Sequence, residues 1–251
     1  DTSAIQAAID SGKTTVYLPV GNYNLQGTVL IRNNARRIVG TEASVEVPNT
    51  VNPGFKVVDG NNPVVVFERI GSGFNTTPTL ENASARTLVI RDAANVSGNM
   101  TGSGDVFIEN VVSNPFSSWT FNGQNVWARQ FNVENEGTHI TNNGGTLWIL
   151  GLKTERGGTL IDTRGGGQTE VLGGLAYTTT GLDGNQNSPM FINDESSVSI
   201  SIAEVNFAAP SYSTYVRETR GGITRDLLDS SLTNYIGGGK DIPLYVGYLS
   251  N

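Results

Sequence analysis

The residues best suited to chemistry are two glutamates, three aromatics and an arginine, and they repeat at one spacing. Glu134 and Glu155 lie 21 residues apart, as do Trp127 and Trp148. Phe107 stands 20 residues before Trp127, and Arg129 follows it by two. In each copy the tryptophan precedes its glutamate by 7 residues. If neighbouring turns of chain stack in parallel, equivalent residues sit about 4.8 Å apart. Two carboxyl groups at about 5 Å suit a retaining glycosidase, one as nucleophile and one as acid–base. Stacked aromatic rings offer flat apolar faces to the C–H faces of sugar rings. Each set has a plainer reading. Lys153 and Arg156 are close enough in sequence to neutralise the glutamates on a solvated corner. A loop or a second chain could cover the aromatic ladder. Arg91, Glu109 and Arg129 read as a surface charge ladder of alternating sign.

Positioning these residues requires a coil. Strand-like runs from Asn125 to Leu172 are separated by glycine corners at Gly137, Gly144-Gly145 and Gly157-Gly158. A period of about 20 residues with short strands is a solenoid signature. No single turn can bury its own apolar face, so the turns must stack. Leu88, Val106, Val126 and Leu147 align at intervals of 18, 20 and 21. Ile90, Ile108, Ala128 and Ile149 follow two residues later, and Ala93, Val111, Phe131 and Leu152 three after that. Strand alternation is expected to point all three columns inward. Phe107, Trp127 and Trp148 then point out. Leu172 and Leu175 are expected to continue two of the columns, and Val198-Ile200 to restart them after an insertion around residues 181–188. Val64-Val65-Val66-Phe67 reads as a strand buried on both faces.

The ends read differently. Asp1-Thr2-Ser3 offers an N-cap, Ile5, Ala8 and Ile9 fall at helical spacing, and Gly12 is a stop. This amphipathic helix would cover the open end of a strand coil. Thr163-Arg164-Gly165-Gly166 recurs as Thr219-Arg220-Gly221-Gly222, which extends the coil to about residue 230. Ile242 to Tyr248 alternates as a last strand. The expected organisation is one domain, with a cap helix over 1–12, coils over 13–235 and a closing segment over 236–251. The start at Asp1 suggests a mature form or a piece of a longer protein.

The opening DTSAIQAAIDSGKTTVYLPVGNYNLQGTVLIR resembles the start of right-handed parallel β-helix proteins of the pectate-lyase superfamily. Its D-T-x-A-I-Q-A-A-I-D helix, V-Y-L-P strand and G-x-Y turn carry the resemblance, over roughly the first 40 residues. Related openings occur in bacterial polysaccharide-degrading enzymes, family 55 glucanases and phage tailspikes. The resemblance implies an all-β, single-stranded right-handed parallel β-helix with a short N-terminal capping helix. The superfamily hosts lyases, hydrolases, epimerases and inert adhesins, so the resemblance speaks for fold more than for function.

Composition narrows the rest. With no cysteine, a disulfide scaffold, a thiolate zinc site and a cysteine nucleophile are excluded. The net charge of -7 argues against a nucleic-acid backbone as partner. No apolar run is long enough for a transmembrane helix. No cofactor or metal is expected: His139 is the single histidine, and Asp92, Asp105 and Glu109 are flanked by Arg91 and Arg129. Arg164 and Arg220 could act as bases or substrate clamps, or satisfy carbonyls at their glycine turns. Sequons at Asn75, Asn82, Asn95 and Asn99 matter only in a eukaryotic secretory route. The expected partner is a polysaccharide met outside the cell or at its surface, bound or cleaved along an outer groove. The alternative is a structural or adhesive solenoid that self-associates through its aromatic face or open ends.

Overall fold

The computed structural model describes residues 1–73, 78–113, 117–179, 188–207 and 211–248. The chain forms a parallel β-solenoid of about 8 turns behind one short helix. Each regular turn contributes a long strand to one sheet and a short strand to a second. In the central turns the long strands are Thr87–Ala94, Val106–Ser113, Asn125–Glu134, Thr146–Glu155 and Gln168–Tyr177, and the short ones Ser97–Met100, Trp119–Asn122, Ile140–Asn143 and Ile161–Arg164.

The register pairs Val106 with Leu88 and Val126, Ile108 with Ile90 and Ala128, and Val111 with Ala93 and Phe131. Leu147, Ile149 and Leu152 extend the same rows. All twelve residues are buried, none above 2% exposed. Simple alternation does not explain this, because the third column lies an odd number of residues from the first. The strand bends in between. Asp92, Asn110, Gln130, Gly151 and Gly173 each have a positive φ, between 51° and 78°. One residue in the left-handed region turns the chain and leaves two successive side chains outside, after which alternation resumes in the opposite phase. Asp, Asn and Gly tolerate that conformation best.

The bend corrects the expected continuation. Val171, not Leu172, follows Ile149 into the core, and Thr169 follows Leu147. Leu172 and Leu175 pair with the outward Leu150 and Lys153, and stand 39% and 42% exposed. Gly174 takes the inward place beside Leu152, where an added Cβ would meet the Leu152 carbonyl at 2.5 Å. Val64-Val65-Val66-Phe67 is also corrected: Val65 and Phe67 are buried, while Val64 and Val66 are only half-buried.

At the N-terminal end, Thr2–Asp10 is helical and buries Ile5 and Ile9, whereas Ala8 is exposed. Asp1 does not cap the helix with its side chain; its carboxylate accepts from the Asn24 N–H at 2.8 Å. Gln6 covers the open edge by pairing with both backbone groups of Leu30, at 2.8 and 3.1 Å. Gly12 has φ +83°, as a helix stop requires.

The parallel coil ends before residue 230. Its last strands are Ser197–Val205 and Thr214–Arg220. Ile223–Leu228 folds back antiparallel on Thr214–Arg220, and Lys240–Gly247 closes antiparallel on Ser197–Val205. The repeated Thr-Arg-Gly-Gly therefore serves two turns. The first carries the chain from the short-strand sheet to the long-strand sheet, and the second is a hairpin.

Candidate functional site

Before the bend, the outward side chains of the long-strand sheet form columns along the coil. Phe107, Trp127 and Trp148 occupy one column on adjacent strands. Phe107 and Trp127 stack with centroids 4.8 Å apart and planes 14° from parallel. They are 41% and 39% exposed, and Trp148 is half-buried. Both tryptophans face the same side of the coil, as their common offset from the inward columns requires.

That column continues through Glu170 and Ser199. There the surface becomes concave. A groove of about 550 Å³ is lined by Trp148, Gln168, Glu170, Ser197, Ser199 and Tyr248, among others. A smaller hollow of about 270 Å³ lies beside Phe107, Trp127, Trp148 and Leu150. Neither Glu170 nor Tyr248 stood out in the sequence. Because Val171 rather than Leu172 enters the core, Glu170 falls directly into the tryptophan column.

Arg129 lines the smaller hollow and pairs with Glu109. The charge ladder continues with Arg91, which pairs with Glu68. Glu68 is 1% exposed and is also held by Arg37. Burial raises its pKa, but the Arg91 and Arg37 hydrogen bonds outweigh this and hold it below the usual glutamate value. Asp92 and Asp105 each accept from an asparagine amide, of Asn110 and Asn125. Among the described residues no group of three or more His, Asp or Glu side chains could hold a metal ion.

Glu134 and Glu155 are paired on adjacent strands, in the register the spacing predicts. They lie beyond the bend at Gln130 and Gly151, on the second arm of the long strand, and line neither of the two hollows. Lys153 bridges them, with Nζ 2.9 Å from Glu134 Oε1 and 2.5 Å from Glu155 Oε1. Arg156 pairs with Glu136. Three partly exposed groups in such a clamp are worth little to stability. Glu134→Ala and Glu155→Ala should each shift unfolding free energy by less than about 0.5 kcal/mol in urea titration. Lys153→Met leaves two facing carboxylates without a counter-charge and should cost about 0.5–1 kcal/mol, less at high salt.

Comparison with known proteins finds no match. No protein-family model matches the chain, and no curated protein or solved structure does.

The remaining sequence candidates are accounted for by the coil's interior and corners. His139 is buried, with Nδ1 2.9 Å from the Val133 carbonyl and Nε2 2.8 Å from that of Gly157. Burial pushes its pKa below the ordinary value, against the carbonyls that favour the charged ring. Arg164 pairs with Asp162, and Arg220 with Glu218. Each therefore joins the carboxylate two residues before it rather than the carbonyls of its glycine turn. Of the sequons, Asn82 is buried and its amide bonds the Arg86 carbonyl, while Asn75 lies outside the described residues. No helix among the described residues is long and apolar enough to cross a membrane.

Proposed function

We propose that the protein is a carbohydrate-binding β-helix protein, acting outside the cell or at its surface, that holds a polysaccharide along its outer face. The observation that carries this is the stacked, solvent-facing Phe107–Trp127 pair leading through Trp148 into the polar groove at Glu170. A row of flat rings suits a polymer of pyranose units, and hydroxyl, amide and carboxylate groups in the groove suit its hydroxyls. The resemblance of the opening to the pectate-lyase superfamily supports the same reading, and within it a hydrolase or lyase remains the enzymatic form to test. Glu134 and Glu155 are the carboxylates to test for turnover. If either is catalytic, its alanine variant loses turnover while binding and melting temperature hold.

Trp127→Ala should weaken binding by roughly 1–3 kcal/mol, the scale of burying one large apolar side chain. The check is a screen of acidic and neutral polysaccharides by affinity electrophoresis, followed by calorimetric titration of the best ligand. Equal affinity for wild type and variant would remove the proposal. One observation favours a second reading, a structural or adhesive solenoid. Leu150 and Leu172 expose an apolar strip beside the aromatic column, with Leu175 exposed across the bend, which self-association would cover. A mass that rises with concentration in sedimentation equilibrium, and returns to that of one chain in Leu172→Glu, would favour it.

A further inference from the structure

The groove beyond Trp148 carries a carboxylate that no cation holds, unlike the glutamates along the neighbouring strands. Glu68 is held by Arg37 and Arg91, Glu109 by Arg129, and Glu134 and Glu155 by Lys153. Glu170 has no such partner among the described residues. Its cross-strand neighbours are Trp148 and Ser199, and along its own strand the next outward side chains are Gln168 and Leu172. Among the described residues no lysine or arginine lines the groove. The formal net charge of -7 adds to the local negative potential.

We infer that this groove selects glycans by charge, taking an amino-sugar polymer in preference to a neutral one and rejecting a polyuronate. The inference rests on the carbohydrate-binding reading and specifies its ligand. Trp148 and Tyr248 present rings to a sugar face. Glu170 then accepts from a protonated 2-amino group, a charge-assisted hydrogen bond stronger than one to a hydroxyl. A uronate carboxylate brought to the same place meets Glu170 with no cation to offset the repulsion. The expectation departs from the acidic substrates that the name of the resembled superfamily suggests.

The test is calorimetric titration with three hexamers: β-1,4-glucosamine below the pKa of its amines, cellohexaose and oligogalacturonate. The glucosamine hexamer should bind at least about tenfold more tightly than the galacturonate hexamer at low salt, with the gap narrowing as salt rises. Glu170→Gln, close to isosteric and on the surface, should bring the two within about threefold. Glu170→Lys should reverse the order. Tightest binding of the galacturonate hexamer by wild type, or a preference that both Glu170 variants leave intact, overturns the charge assignment alone. If none of the hexamers binds wild type, the carbohydrate-binding reading falls with it.

Discussion

Ile149→Asp should abolish folding. Ile149 lies in the central column between Ala128 and Val171, with 0% of its surface exposed. The surrounding core is one continuous apolar cluster running along the coil. A carboxylate there has no partner and no route to water, because the strands on both sides are occupied. Burying the charge, or protonating the carboxyl to avoid it, costs several kcal/mol, and the lost isoleucine packing adds a few more, together comparable with the roughly 5–15 kcal/mol that holds a domain folded. The expected result is insoluble protein, or soluble protein whose far-UV circular dichroism lacks the strand signal. Ile149→Val is the control and should cost about 0.5–1.5 kcal/mol. A folded, soluble Asp variant with a wild-type spectrum would show that the column is not where the register places it.

The second large effect is expected at the other end of the coil. Glu204 is 1% exposed, on the inward row that runs Val133, Thr154, Ala176, Glu204. Its carboxylate accepts from Thr178 Oγ1 at 2.7 Å, Ser211 Oγ at 2.8 Å and the Lys240 N–H at 3.3 Å, and from the Tyr215 hydroxyl. These donors come from three separate segments: Thr178, the stretch from Ser211 to Tyr215, and Lys240 on the strand that closes the coil. Burial raises the pKa of Tyr215, and the nearby Glu204 charge raises it further, so this hydroxyl keeps its proton and donates. Glu204→Ala should therefore leave the Thr178 hydroxyl and the Lys240 N–H without their acceptor, and the Ser211 and Tyr215 hydroxyls with only each other, 2.5 Å apart, and destabilise by about 3–5 kcal/mol, the scale of removing one partner from a buried charged network. Hydrogen exchange should show the loss first in Lys240–Gly247. Glu204→Gln keeps the shape and part of the acceptor capacity, and should fall between. A Glu204→Ala protein as stable as wild type would mean that water replaces the carboxylate and the end is open.

The coil was legible in the sequence because stacking repeats a physical requirement on every turn. Each turn must bury the same face against its neighbours, so apolar residues recur in columns, and Leu88, Val106, Val126 and Leu147 display them without any structure. Facing follows from the columns, and with it the outward row of Phe107, Trp127 and Trp148 and the pairing of Glu134 with Glu155. The cap helix was legible for a related reason, since an open end of a coil leaves apolar and hydrogen-bonding groups that something must cover.

Tertiary structure decided what a column pattern cannot carry. The bend at Gln130 and Gly151 is a backbone conformation, and only the odd spacing of the third column hints at it. Because Gly173 holds the same bend, Leu172 and Leu175 turn to solvent, and Glu170 joins the aromatic column instead of the core row beside it. Which charge neutralises which was also undecided: Lys153 rather than Arg156 spans Glu134 and Glu155, because its side chain shares their face. The end of the coil was hidden for the same kind of reason. Thr163-Arg164-Gly165-Gly166 and Thr219-Arg220-Gly221-Gly222 are locally identical. Whether such a turn leads into the next coil or back on itself depends on what the chain beyond it can pack against, and that is set by the whole stack rather than by four residues.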